Sequence, residues 1–330
     1  MPALAPFEDA VDAGPEIELR PFVIAASQHG QRLDRALAQL VPEFSRSYLQ
    51  QLIESGAVTV NGKAATRSAR RATAGEQGSI ELRPTPQSRA FRPEPMPLTV
   101  VFEDEHLLVI DKPAGLVVHP APGNWSGTLL NGLLARDAGA ALLPRAGIVH
   151  RLDKDTSGLM VAARTRAAMD ALVLRIAARE VSREYVALAH GRWAGAPIRH
   201  VEAPIGRDPR NRLRMAVVAG GKPASTTFEC LQQAQDGCWV RATLHTGRTH
   251  QIRVHMAQIG HPLVADELYG GHPAAGLRRQ ALHAYRLAFE HPVTGAALAF
   301  QAGLPGDLTA ALAQWGLRYN GLEWLQSHTP

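Results

Sequence analysis

Residues 147–161 read GIVHRLDKDTSGLMV. Ile148 and Val149 favour extended chain and lead into a polar run of His150, Arg151, Asp153, Lys154, Asp155, Thr156 and Ser157. Gly158 and the apolar Leu159, Met160 and Val161 lead out of it. Charge packed between two apolar runs marks a loop or strand edge pinned in a cleft, and such loops carry function. Two carboxylates compete for a chemical role. Asp155 precedes Thr, Ser and Gly, a pattern that suits an Asx-type turn. Asp153 lies beside Arg151 and has no capping pattern of its own. A neighbouring guanidinium favours a charged carboxylate, which serves a nucleophile or base. It serves a plain surface ion pair equally well, so the residue pattern leaves both readings open.

Towards the C-terminus, residues 179–191 (REVSREYVALAHG) alternate as a strand, with Val181, Arg183, Tyr185 and Ala187 on one side. Tyr185 there is either a core or edge-strand residue or part of a site. Arg207, Arg210, Arg212 and Arg214 surround Pro209 in a loop-like stretch suited to gripping phosphates, or simply a solvated charge run. Residues 244–271 (LHTGRTHQIRVHMAQIGHPLVADELYGG) hold His245, His250 and His255 at steps of five, which fit neither one helix face nor a HExxH metal motif. No Cys or carboxylate cluster completes a ligand set, so no metal is expected.

Towards the N-terminus, five prolines at 84, 86, 93, 95 and 97 make residues 84–97 a semi-rigid linker. Beyond it, the β-rich runs 98–102 and 107–110 flank a polar turn and read as a hairpin. Before it, Leu33, Ala36, Leu37 and Leu40 fall on one helix face, ended near Pro42. Ser45 or Ser47 caps a second helix carrying Tyr48, Leu49, Leu52 and Ile53, which Gly56 terminates. The strand 58–60 runs into Asn61-Gly62, a strong hairpin signal, and 79–82 closes the unit. The unit carries Arg46, Lys63, Arg67, Arg70 and Arg71, a candidate nucleic-acid face or a solvated basic surface. Residues 1–20 read as a disordered leader, 21–83 as this small domain, 84–97 as linker and 98–330 as the main domain.

Composition bounds the function class. The 330 residues are 45% hydrophobic, enough for two cored domains. Lys and Arg outnumber Asp and Glu by 35 to 30, a modest basic excess that favours an anionic partner. The two cysteines, Cys230 and Cys238, are too far apart for a CxxC motif and too few for a disulfide framework, which points to a reducing compartment. The acidic N-terminus lacks a signal-peptide layout, and no apolar run reaches membrane-spanning length. The expectation is a cytoplasmic protein, a monomer, with no membrane partner.

The stretches carry a resemblance. "RLDRAL…SRSYLQQLIESGAVTVNGK" resembles the S4 RNA-binding domain. "HRLDKDTSGLMV" and "LHTGRTHQIRVHMAQIGHPLVADELYGG" resemble the two signatures of the RluA-type pseudouridine synthases. "DKPAGLVVHP", "LLNGLL", "APIGRDPRNRLRMAV", "GKPASTTFE" and "RRQALHAYRLAFEHPVTG" extend the likeness from about residue 20 to about residue 305. By position, the resemblance implies Asp153 as catalytic carboxylate, Arg253 as its partner and Tyr185 as the residue stacked on the target base. The family has Lys-x-Tyr where this chain has Arg183-x-Tyr185, a departure that keeps the charge. It further implies Arg151 bracing a flipped nucleotide, Arg248 on the RNA backbone, and no cofactor.

The implied activity is isomerisation of uridine to pseudouridine in ribosomal RNA. The wording of "PRAGIVHRLDKDTSG" and "RRQALHA" points to the type acting on the inter-subunit stem-loop of 23S rRNA. The implied fold is α+β: a large mixed, mostly antiparallel sheet with flanking helices and a central cleft, plus the S4-like domain. The rivals are a non-catalytic RNA-binding or ribosome-assembly protein, and a hydrolase using metal or a carboxylate pair.

Overall fold

The computed structural model describes residues 18–83, 90–211 and 213–319. Residues 1–17 of the expected leader, 84–89 of the expected linker, Arg212 and the tail from residue 320 lie outside them. The chain divides into two compact units, 1–89 and 90–330.

In the first unit, helix α1 (Leu33–Leu40) buries Leu33, Ala36 and Leu37, the stripe its spacing predicts. Helix α2 (Arg46–Glu54) starts at Ser45, whose side chain accepts the Tyr48 N–H at 3.3 Å. Strands β2 (Val58–Val60) and β3 (Lys63–Ala65) form a hairpin across Asn61 and Gly62, both with positive φ (50° and 77°), as a two-residue turn of this kind requires. Strand β4 (Gln77–Leu82) joins β2. The sequence reading missed one strand: β1 (Glu18–Val23) pairs with β4 from Glu18 onward, so residues 18–20, expected in the leader, belong to this sheet. Pro21 and the charged Glu18 and Arg20 disguise it, and all three are tolerated because β1 is an edge of the order β1-β4-β2-β3.

The second unit holds a nine-stranded sheet. Its strands are β5 (Thr99–Glu103), β6 (Leu107–Lys112), β7 (Ser157–Ala163), β8 (Ser182–His190), β9 (Ile198–Glu202), β12 (Ser225–Gln233), β13 (Gly237–Leu244), β14 (Leu282–Glu290) and β15 (Ala297–Gln301). The order is β5-β6-β7-β14-β8-β13-β12-β9, with β15 also on β14. Every pairing is antiparallel except β7 with β14. β10 (Ile205–Arg207) and β11 (Met215–Val217) form a separate hairpin, an arm whose connecting loop carries Arg210 and Arg214, while Arg207 ends β10.

Alternation assigns the faces. On β6, Leu108 and Ile110 share a core with α3 (Leu129–Arg136) and α5 (Gln251–Gln258), whereas Leu107 and Val109 pack with α4 (Arg166–Ala178). On β8, Ala187 and Ala189 face the first core, and Val186 and Leu188 pack with α6 (Gly306–Gln314). The fold is therefore α+β, a sheet covered on both faces by helices. Gly158 marks the entry to β7. It has φ +115°, and a Cβ there would lie 2.2 Å from the Ala284 carbonyl oxygen, so only glycine lets the parallel pairing close. Among the described residues, no helix is long and apolar enough to cross a membrane.

Candidate active site

A cleft of about 440 Å³ opens in the second unit, and Asp153, Tyr185 and Arg253 all line it, with Arg151 and Arg248. The turn carrying Asp153 is closed by the Thr156 N–H donating to the Asp153 carbonyl at 3.2 Å. Two arms hold this turn. On one side, Lys112 at the end of β6 is fully buried, and its ammonium donates to the carbonyls of Pro113 (2.8 Å), Leu116 (2.9 Å) and Lys154 (2.9 Å). Burial lowers its pKa to about 8, while the Asp155 and Asp153 carboxylates oppose the shift. On the other side, Arg279 donates to the Asp155 carbonyl at 3.0 Å, and Ser157 Oγ bonds His283 Nδ1 at 3.0 Å. These bonds from distant segments, with the backbone turn, hold the loop; Asp155 contributes its carbonyl and a charge near Lys112.

Arg253 comes from α5, one hundred residues along. Its Nη1 donates to Asp153 Oδ2 at 3.0 Å. Its Nε and Nη2 donate to Asp266 at 2.7 and 2.8 Å. Its guanidinium carbon sits 5.0 Å from the centre of the Tyr269 ring. Two carboxylates hold the Arg253 pKa above its ordinary value against the opposing effect of burial. Asp153 keeps 16% of its side chain exposed, so its carboxylate is partnered yet reachable from the cleft. His250, at the start of α5 with φ +56°, lies 3.8 Å from Asp153 through Nε2 and bonds the Tyr269 hydroxyl through Nδ1 at 2.8 Å.

Tyr185 stands on β8 and is 5% exposed; burial pushes its hydroxyl up to about 12, so it is a neutral aromatic surface. Arg183, two residues earlier on the same strand face, also lines the cleft. Arg145, Arg151, Arg179 and Arg248 are exposed around it. The structure thus brings Asp153, Arg253, Tyr185, Arg151 and Arg248 together.

The other candidate RNA-binding residues are dispersed. Arg207 is exposed on the β10–β11 arm, and Arg212 lies outside the described residues. Arg46 donates to the fully buried Asp34 at 3.0 Å, and Arg70 pairs with Glu76. Arg71 donates to the Gly30 carbonyl at 2.9 Å, while Lys63 and Arg67 are exposed. The three histidines of 244–271 each have a separate partner: His245 with Thr227 (2.7 Å), His250 with Tyr269, and His255 with Thr226 (2.9 Å). No cluster of potential metal ligands occurs among the described residues.

Reading the sequence missed Asp266, Tyr269 and Lys112. Asp266 and Tyr269 sit in the "ADELYGG" run and Lys112 in "DKPAG". A buried arginine in need of counter-charge is the one signal that could have directed attention to Asp266.

Comparison with known proteins bears on this geometry. The family model for RNA pseudouridylate synthases matches residues 106–258, and that for the S4 domain matches residues 31–77. A Neisseria meningitidis serogroup B protein named ribosomal large subunit pseudouridine synthase D is 50% identical over 293 residues, spanning 84% of this chain and 77% of its own length. A protein of the same name from Nitrosomonas europaea is 47% identical over 291 residues, spanning 86% and 84%. The solved human RNA pseudouridylate synthase domain containing 1 is similar over 72% of this chain and 98% of its own, with a TM-score of 0.55 and 26% identity.

Proposed function

This chain belongs to the RNA pseudouridylate synthase family, and from that premise we propose that it isomerises uridines of large-subunit ribosomal RNA with Asp153 as catalytic carboxylate. The observation that carries the reading is the 3.0 Å bond between Arg253 and Asp153 beside Tyr185 in an open cleft. The target class follows from the relatives' name and from the S4 domain. Within 23S rRNA, the inter-subunit stem-loop is the region the sequence wording favours.

Uridine is detached at N1 and rejoined to ribose through C5. Asp153 acts at the sugar, by attack on C1′ or by removal of the C2′ proton. Arg253 orients its carboxylate. The base is flipped out of the RNA at a cost of about a few kcal/mol, braced by Arg151 and stacked on Tyr185. The exposed arginines at the cleft, the β10–β11 arm with Arg207 and Arg210, and the basic S4 unit with Lys63 and Arg67 take the phosphates. The chemistry asks for no metal, redox or nucleotide cofactor.

The test uses rRNA tritiated at C5 of uridine. The protein releases label on forming pseudouridine, and Asp153→Asn abolishes release by about a thousandfold or more while RNA binding survives. Equal release by both proteins ends the role given to Asp153. Binding by the wild type with no release favours an assembly factor that only clamps RNA.

A further inference from the structure

The cleft holds two deeply buried guanidiniums, and their surroundings differ. Arg253, 7% exposed, is matched by the carboxylates of Asp153 and Asp266. The buried cation next to the same loop, Lys112, spends its three donors on carbonyls. Arg183 is 6% exposed, yet its Nε is buried with no hydrogen-bond partner, and no carboxylate of the described residues pairs with it. A buried charge left unmatched is expensive, and native proteins retain one chiefly where a ligand completes it.

Position says which ligand. Arg183 and Tyr185 stand two residues apart on β8 and so project from the same face of the strand into the cleft. Gly247 leaves room for the guanidinium end, since a Cβ there would lie 2.8 Å from Arg183 Nη1. The arginines suited to RNA phosphates are the exposed Arg145, Arg151, Arg179 and Arg248. Arg183 is as deeply buried as Tyr185, 6% against 5% exposed, which suits contact with a base better than with the exposed backbone.

We propose that Arg183 is a catalytic residue that donates to a carbonyl oxygen of the flipped uracil and stabilises the negative charge the base carries while detached. The inference rests on the synthase reading above. When the C1′–N1 bond breaks, both electrons stay with the base and spread over N1, O2 and O4. The base turns and C5 bonds to C1′, displacing the Asp153 carboxylate where that had attacked C1′, or adding across a C1′=C2′ double bond as Asp153 returns the C2′ proton. The hydrogen on C5 then leaves as a proton to solvent, N1 takes up a proton, and the ring is neutral again. A donor fixed in place before the bond breaks stabilises that anion without reorganising.

Arg183→Met keeps the stem and removes the charge; Arg183→Lys keeps a charge without the fork. Tritium release is measured under saturating and limiting rRNA, with RNA affinity over a salt series and thermal unfolding alongside. Arg183→Met is expected to lower kcat by about a hundredfold, with RNA affinity and its salt slope unchanged. Arg183→Lys recovers part of that loss. Because an unmatched buried cation is removed, the Tm of Arg183→Met does not fall. Unchanged kcat overturns the proposal. So does weaker RNA binding with a flatter salt slope at normal kcat, which assigns Arg183 to a phosphate. A Tm that falls in step with activity in both variants makes Arg183 structural and overturns it too. A wild type that releases no tritium removes the synthase reading itself, and this proposal with it.

Discussion

Asp266 grips Arg253 through a fork of two hydrogen bonds, 2.7 and 2.8 Å long, in a nearly water-free setting. The fork fixes the plane of the guanidinium and leaves Nη1 to meet Asp153. Without Asp266, Arg253 would be free to turn its fork onto Asp153 and occupy both oxygens. Asp266→Ala is therefore expected to lower kcat for tritium release by about ten- to a hundredfold. It also strands a buried charge and is expected to cost about 3–5 kcal/mol in urea unfolding. Full activity with lost stability would confine Asp266 to a structural part.

Tyr269 joins that pair to the arm bearing the arginines. Its hydroxyl accepts the Met215 N–H at 2.9 Å from β11 and bonds His250 at 2.8 Å, while its ring lies against Arg253. Tyr269→Phe keeps the ring and orphans the β11 donor, a loss of about 1 kcal/mol. The expected signature is a raised KM for rRNA at nearly unchanged kcat, because the arm loosens while Arg253 stays covered. Tyr269→Leu, which also removes the ring, should lower kcat as well. Identical kinetics for the two variants would deny the ring any part in holding Arg253.

What was legible in the sequence depended on range. Helix α1 and the β2–β3 hairpin are written in local terms, as a stripe of Leu and Ala and as Asn61-Gly62, and the structure has them where the spacing puts them. The Asp153–Arg253 contact spans one hundred residues, so no periodicity encodes it; only the resemblance joined the two motifs. Asp266 was invisible because a buried ion pair leaves no local pattern, and the parallel β7–β14 pairing likewise joins segments far apart in the chain. Strand β1 was lost because an edge strand need not look like one. The unmatched state of Arg183 can be seen only once every neighbour is in place.

Acid should weaken the fold in two stages. His150 accepts the Val161 N–H through Nε2, and burial, helped by the Arg183 charge, holds its pKa down to about 3. Burial likewise holds His283 at about 4. Each binds a proton more readily unfolded than folded, so its stabilisation is complete above the unfolded value near 6.5 and is lost as pH falls towards 4. Asp34, held low by Arg32, Gln50 and Arg46 against burial, adds loss of the same sign below about pH 4. Urea midpoints should fall steadily from about pH 6.5 to pH 4, at up to about 1.4 kcal/mol per pH unit for each such histidine. His150→Gln, which keeps an acceptor for Val161, should flatten that slope; an unaltered slope would show that His150 does not carry it.

The arginines of the β10–β11 arm are not equivalent. Arg214 donates to the buried Asp208 at 2.6 Å, which also caps the turn by accepting the Arg210 N–H at 2.8 Å. Arg210 is exposed. A phosphate contact releases counter-ions and lowers affinity as salt rises, with a slope near 0.7–0.9 per contact. Arg210→Gln is therefore expected to weaken rRNA binding uniformly across sequences and to reduce the salt slope by about that amount. Arg214→Gln should act through the arm instead: its first effect is on the turn that Asp208 organises, so affinity falls with a smaller change in slope. Filter binding of rRNA between 50 and 200 mM salt, roughly the range over which such contacts are lost, separates the two. Equal slopes for wild type and Arg210→Gln would take the arm out of the phosphate interface and leave that work to the arginines exposed around the cleft.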